Sequence, residues 1–225
     1  DDVAGVVEEF RVAAVNAKEA GFDGVELHGA NGFIIDEFLQ SATNKRTDRY
    51  GGSFENRFRF VAEVLDAILT VFPSTRVAIR LGPNGNYAGM GGADNFEAFT
   101  YYYSRLNKYN LAFVDVLDGL DFGFHGLCKQ VKLADVRKVY DHAIVGNVGY
   151  SKLTAEGAIK TGAADLVAFG RAWLANPDLV ERFRNDWPLA DADYSIWWSY
   201  PNFPDGDHTV GFTDFPAYSA PGDEK

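Results

Sequence analysis

Chemistry in this chain of 225 residues has to come from a few polar side chains set at the ends of apolar runs. The most informative pair is His28 and Asn31, in the stretch Phe22-Asp-Gly-Val-Glu-Leu-His28-Gly-Ala-Asn31-Gly-Phe33. A short buried strand ending in this way can turn two hydrogen-bond donors toward one point. Donors so placed polarise a carbonyl and stabilise the oxyanion that forms from it. From spacing alone, a strand-end polar pair that is simply satisfied fits equally well. Arg80 closes another apolar run, Val77-Ala-Ile-Arg80-Leu, and must find a partner: a carboxylate such as Asp118, or an anionic ligand. Gly146-Asn147 and Gly170-Arg171 close two later runs. Glycine lets backbone N–H groups approach an anion, and arginine adds a planar, always-charged fork. These dipeptides are candidate phosphate ligands, with plain strand-to-helix turns and a surface arginine as the alternative. His28, His125, His142 and His208 are widely spaced and Cys128 stands alone, so no metal site is expected. Cys128 itself reads as a buried packing residue.

The elements that must position these groups alternate in period. Helical spacing covers residues 6–20, 54–72, 96–107, 127–141, 153–161 and 177–186, with Gly21, Ser53 and Pro73 as stop, cap and stop. Apolar strand-like runs cover residues 22–28, 77–81, 113–117, 143–147 and 166–169. Five βα units with strands apolar almost throughout predict a parallel sheet covered on both faces. Polar or glycine residues sit where each strand ends (His28, Arg80, Asp118, Asn147, Arg171), as in a TIM-type (β/α)8 barrel. A doubly wound sheet also binds ligands at strand ends, but no strand here runs into a GxGxxG loop. Gly89-Met-Gly91-Gly92 reads instead as a flexible loop over the barrel mouth. The expected domains are a partial barrel over residues 1–186 and an aromatic, proline-rich tail over 187–225. In the tail, Trp197, Trp198 and Tyr200 are expected to pack on the barrel.

Composition narrows the partners. With 47% hydrophobic and 15% aromatic residues the chain can bury a sizeable core. A formal charge of −11 disfavours nucleic acid and anionic membrane surfaces. No apolar run approaches membrane-spanning length. The single cysteine suits a reducing, cytoplasmic setting. The chain opens Asp1-Asp2-Val3 rather than with Met, as a processed or truncated product would.

The His28/Asn31 stretch is followed by Asn44-Lys-Arg-Thr-Asp-Arg-Tyr-Gly-Gly-Ser53-Phe-Glu-Asn-Arg57. With both motifs present, the chain closely resembles the old yellow enzyme family of FMN-dependent ene-reductases. The second motif marks the family specifically, yet its residues read as structural: Arg46, Asp48 and Arg49 as ion pairs ordering a loop, and Gly51-Gly52 as the turn before the Ser53 cap. The resemblance implies that this chain corresponds to strands four to eight, three earlier strands lending a Thr or Cys and a Gln to the flavin. It implies FMN as cofactor, NAD(P)H as hydride donor, and an enone or quinone-like small molecule as acceptor. His28 and Asn31 would hold the substrate carbonyl. Arg80 would approach the pyrimidine side of the flavin, and Gly146, Asn147, Gly170 and Arg171 its phosphate.

Two departures from the family stand out. Phe33 occupies the position of the tyrosine that protonates the substrate α-carbon, and Gly211-Phe-Thr-Asp-Phe-Pro216 replaces two further tyrosines of a segment near the flavin. Alkene reduction is therefore expected to be weakened. An alternative follows: a degenerate or non-catalytic member that pairs with another chain or a complementing N-terminal segment to complete its barrel, and exposed edges also allow a homo-oligomer. A phosphosugar isomerase or aldolase ranks lower, since no lysine ends a strand and Glu26 lies inside one.

Overall fold

The computed structural model describes residues 2–121, 123–191 and 209–219. By contact the chain divides into two compact units, Asp1–Ala168 and Phe169–Lys225.

The first unit opens with helix α1 (Val3–Glu19), started by Asp2, whose carboxylate accepts the Gly5 N–H at 2.8 Å. Then come strand β1 (Val25–Gly29) and a short helix α2 (Ile34–Leu39), which no periodicity announces. Helix α3 (Phe54–Ile68) starts where expected, Ser53 accepting the Asn56 N–H at 3.2 Å. It stops before Pro73, and Lys18 from α1 takes the Val71 carbonyl at 2.8 Å. Strand β2 (Val77–Leu81), helix α4 (Asn95–Leu106) and strand β3 (Phe113–Leu117) follow the expected spans closely. Next are helix α5 (Leu133–Arg137), strand β4 (Ile144–Asn147), helix α6 (Lys152–Lys160) and strand β5 (Leu166–Val167).

The helix expected over residues 127–141 is much shorter, and two asparagines explain why. Asn84 bonds both the N–H and the carbonyl of Val131 at 2.9 Å, which holds the preceding segment out of a helix. Asn107 takes the Val139 carbonyl at 2.8 Å and the Asp141 N–H at 3.0 Å, closing the other end. The glycine loop also differs from expectation. The Gly91 N–H donates to Gln40, just after α2, at 2.6 Å; Asn95 of α4 donates to the same oxygen at 3.0 Å and Met90 is buried, so the loop is pinned.

The five strands are all parallel and lie in the order β1-β2-β3-β4-β5. Sequential order means that every crossover advances in one direction, giving an arc of a (β/α) barrel; a doubly wound sheet reverses its order partway. One face carries Leu27, Ile79, Leu81, Val114, Val116 and Ile144 into a core with α1, α3 and α4. The other face carries Glu26, His28, Arg80, Asp115 and Asn147. That face also carries Ala78, Phe113, Leu117 and Val145, so the expected apolar character is unbroken only on the helix side. The inner face is polar toward the strands' C-terminal ends.

The second unit contains helices α7 (Arg171–Ala175) and α8 (Leu179–Asn185). Asp178 anchors it, accepting from Arg182 at 2.6 Å and from the Tyr218 N–H at 2.8 Å, while Trp187 stacks on Tyr218. Trp197, Trp198 and Tyr200 lie outside the described residues.

Candidate active site

Register builds the site. His28 stands opposite Arg80, Arg80 opposite Asp115, and Asn147 opposite Leu117, on the inner face. Arg80 Nε lies 3.7 Å from Asp115 Oδ2, and Asn147 donates to the same oxygen at 2.9 Å. The arginine's carboxylate partner is therefore Asp115 and not Asp118. Asp118 instead accepts the Tyr150 hydroxyl at 2.8 and 2.9 Å. Arg80 Nε and Asp115 Oδ1 are both buried without a hydrogen-bond partner.

Electrostatics follow from that crowding. Burial raises the Asp115 carboxyl against the pull of Asn147 and Arg80, and burial raises Asp118 to about 6. Glu26 is raised by the protein around it and by Asp115. His28 is lowered, first by desolvation and then by Arg80, which favours its neutral form.

Beyond His28 the chain makes a tight turn. Asn31 and Gly32 both take left-handed backbone, at φ 59° and 74°. A side chain at Gly32 would meet Ala88 Cβ at 2.4 Å, so glycine is required there. The Asp36 carboxylate holds the turn, accepting the Gly32 N–H at 3.1 Å and the Gln40 amide at 2.7 Å. Asp36 is 1% exposed, and burial pushes it up to about 7 although both hydrogen bonds favour its charged form. Asn31 and Asp36 line a pocket of about 380 Å³, counting its open mouth, with Tyr87, Met90, Leu117 and Val148. The Phe33 ring is 60% exposed and meets the His28 ring edge-on at 5.2 Å.

The family-marking stretch is structural, as expected. Arg46 pairs with Asp48 at 2.5 Å and Arg49 with Glu63. Arg57, 2% exposed, donates to the Leu39 carbonyl at 2.9 Å and pairs with Asp94 at 2.5 Å, tying α2 to α3.

The phosphate candidates have different surroundings. Gly146 turns toward the helix side, where a Cβ would crowd Leu133 and Tyr150. Asn147 faces inward on Asp115. Gly170 and Arg171 open α7 in the second unit, Gly170 exposed with open space at its Cβ position and Arg171 half-buried. Cys128 is half-buried rather than buried, and burial raises its thiol. Among the described residues no cluster of His, Cys, Asp or Glu could hold a metal ion.

Sequence reasoning missed Asp36, Gln40 and Asp115. Asp115 carried a usable signal, a carboxylate inside the apolar run Phe113-Val-Asp-Val-Leu117. Asp36 and Gln40 carried none, because their partners come from the turn before them and from a distant loop.

Comparison with known proteins identifies the family and the fold. The model of the NADH:flavin oxidoreductase / NADH oxidase family matches residues 1–190. The chain is 37% identical over 219 residues to 12-oxophytodienoate reductase 2 of Arabidopsis thaliana, covering 96% of this chain and 57% of that protein. It is 39% identical over 218 residues to a putative 12-oxophytodienoate reductase 3 of Oryza sativa subsp. japonica, covering 96% and 56%. Among solved structures, the old yellow enzyme homologue of Zymomonas mobilis superposes with TM-score 0.86 at 34% identity, over 97% of this chain and 60% of that one. Morphinone reductase in complex with tetrahydroNAD superposes with TM-score 0.85 at 36% identity, over 100% and 58%. The five-stranded arc is thus part of a TIM barrel of the flavin-oxidoreductase type. The chain belongs to the old yellow enzyme / NADH:flavin oxidoreductase family. It spans just over half the length of the relatives it matches.

Proposed function

We propose that the chain carries the substrate-holding part, and some of the cofactor-holding part, of an FMN-dependent NAD(P)H oxidoreductase acting on enones or quinone-like acceptors. The observation that carries this reading is the inner face, where His28, Arg80 and Asn147 stand toward the C-terminal ends of their strands around Asp115. The residues present fit a flavin edge. A buried N–H at Arg80 without a hydrogen-bond partner suits a ring edge that offers acceptors. Asn147 would share in holding it, with Gly146, Gly170 and Arg171 proposed at the phosphate.

Bound FMN would supply hydride transfer between NAD(P)H and the acceptor. His28, neutral in its depressed state, and Asn31 donate hydrogen bonds to the acceptor's carbonyl oxygen and stabilise the enolate. Carrying no positive charge, a neutral imidazole leaves the oxyanion unprotonated while it is held. Phe33 offers no proton, so the α-carbon draws one from water and alkene reduction is slow. Acceptors that need no such acid, quinones among them, are favoured.

A second reading is favoured by the sheet's open edges, since β1 and β5 each pair with one strand among the described residues. In it the chain is a non-catalytic or degenerate member that functions only when another chain or segment completes the barrel. The visible absorption spectrum of the purified chain, after FMN is added and excess removed, separates the two. A retained, perturbed flavin band that bleaches anaerobically with NAD(P)H supports the enzyme. A folded protein without flavin supports the degenerate member.

A further inference from the structure

Asp115 is a carboxylate in the middle of an apolar strand, with 5% of its surface exposed. A buried charge is costly unless it is paired and hydrogen-bonded, and here the compensation is partial. Its Oδ2 accepts the Asn147 amide at 2.9 Å and lies 3.7 Å from Arg80 Nε, while Oδ1 has no partner. Glu26, on the neighbouring side of Arg80, adds a second carboxylate to the same face. Arg80 is therefore outnumbered by acids on the face where a cofactor would lie.

We infer that Asp115 is a positioning residue for the cofactor edge, holding Arg80 and Asn147 in one orientation and offsetting the positive charge that Arg80 would otherwise present to bound FMN. This rests on the FMN reading above. Reduction places negative charge on the flavin's pyrimidine side. An uncompensated arginine there favours the reduced form, and a carboxylate at its back opposes it. Asp115 thus holds the cofactor's midpoint potential down.

The test is to titrate FMN, oxidised and anaerobically reduced, into the wild-type chain and into Asp115→Asn, and to compare the ratios of the two dissociation constants. Asparagine keeps the shape and an acceptor for Asn147 while removing the charge. The reduced form is expected to gain about tenfold over the oxidised form in Asp115→Asn, a rise of about 30 mV for a two-electron couple. Asp115→Glu, which keeps the charge, is expected to stay near the wild-type ratio. Should Asp115→Asn not fold, as read by circular dichroism, Asp115→Ser carries the same expectation. An unchanged or lowered ratio in the neutral variant overturns the role, as do equal shifts in the neutral and acidic variants. A wild-type chain that retains no FMN overturns the functional reading and this inference with it. Retention by wild type with an unshifted neutral variant overturns this inference alone.

Discussion

Asp36→Asn tests whether the turn that presents Asn31 is held by a buried, pH-sensitive carboxylate. Asp36 is 1% exposed, and burial raises its carboxyl from 3.8 to about 7. The native state therefore keeps a proton that the unfolded chain releases, and stability falls as pH rises between the two values. At about 1.36 kcal/mol per pH unit, this gap corresponds to about 4 kcal/mol, full below pH 4 and gone above pH 7. Between pH 5 and pH 8 the wild type should lose about 2.5 kcal/mol from this group. Asparagine cannot ionise, so the variant should lack that slope, although one of the two hydrogen bonds, to Gly32 or to Gln40, is sacrificed at about 1 kcal/mol at every pH. Urea unfolding of both proteins across that pH range gives the answer as a difference of differences. Asp115, Asp118 and His28 titrate in both and cancel. Parallel pH profiles for wild type and variant would refute the buried, protonated carboxyl.

Phe33→Tyr should raise alkene turnover by about 10²–10⁴ while leaving flavin reduction by NAD(P)H unchanged, because the exposed ring beside His28 can take a hydroxyl without repacking. Single-turnover rates of the two half-reactions check this, and equal alkene rates in both proteins refute it. Arg57→Ala should cost about 3 kcal/mol in urea unfolding, the low end for breaking a buried pair, since Asp94 keeps 36% of its side chain in solvent and the Leu39 carbonyl keeps the Tyr102 hydroxyl. Gly32→Ala should cost about 1–3 kcal/mol through its left-handed backbone and the Ala88 contact, and adding Ala88→Gly should recover only part of the lost thermal stability.

Arg80 on the inner face keeps 26% of its side chain exposed. Cofactor and acceptor binding are therefore best measured at controlled ionic strength, since screening weakens partly exposed charges most.

Much of this was legible in the sequence. Strands 77–81 and 113–117 stand where apolar runs put them, and the Ser53 cap and Gly51-Gly52 turn act as local chemistry requires. Such features depend on residues within a few positions of one another, so the order of residues is enough to decide them. The His28/Asn31 turn and the ion-paired loop around Arg46 are local in the same sense.

Tertiary structure decided the rest. Arg80 pairs with Asp115 because parallel hydrogen bonding sets the two opposite each other, a register that no spacing within one strand contains. Asn84 and Asn107 cut the helix expected over residues 127–141 by taking its backbone groups from distant segments. Asp36 becomes a raised, buried acid only when α2 folds it beneath the Asn31 turn and Gln40 reaches the glycine loop. The sequence by itself thus determined the strands, the caps and the glycine turn after His28, which are short-range; register, burial and charge balance depend on where distant segments meet.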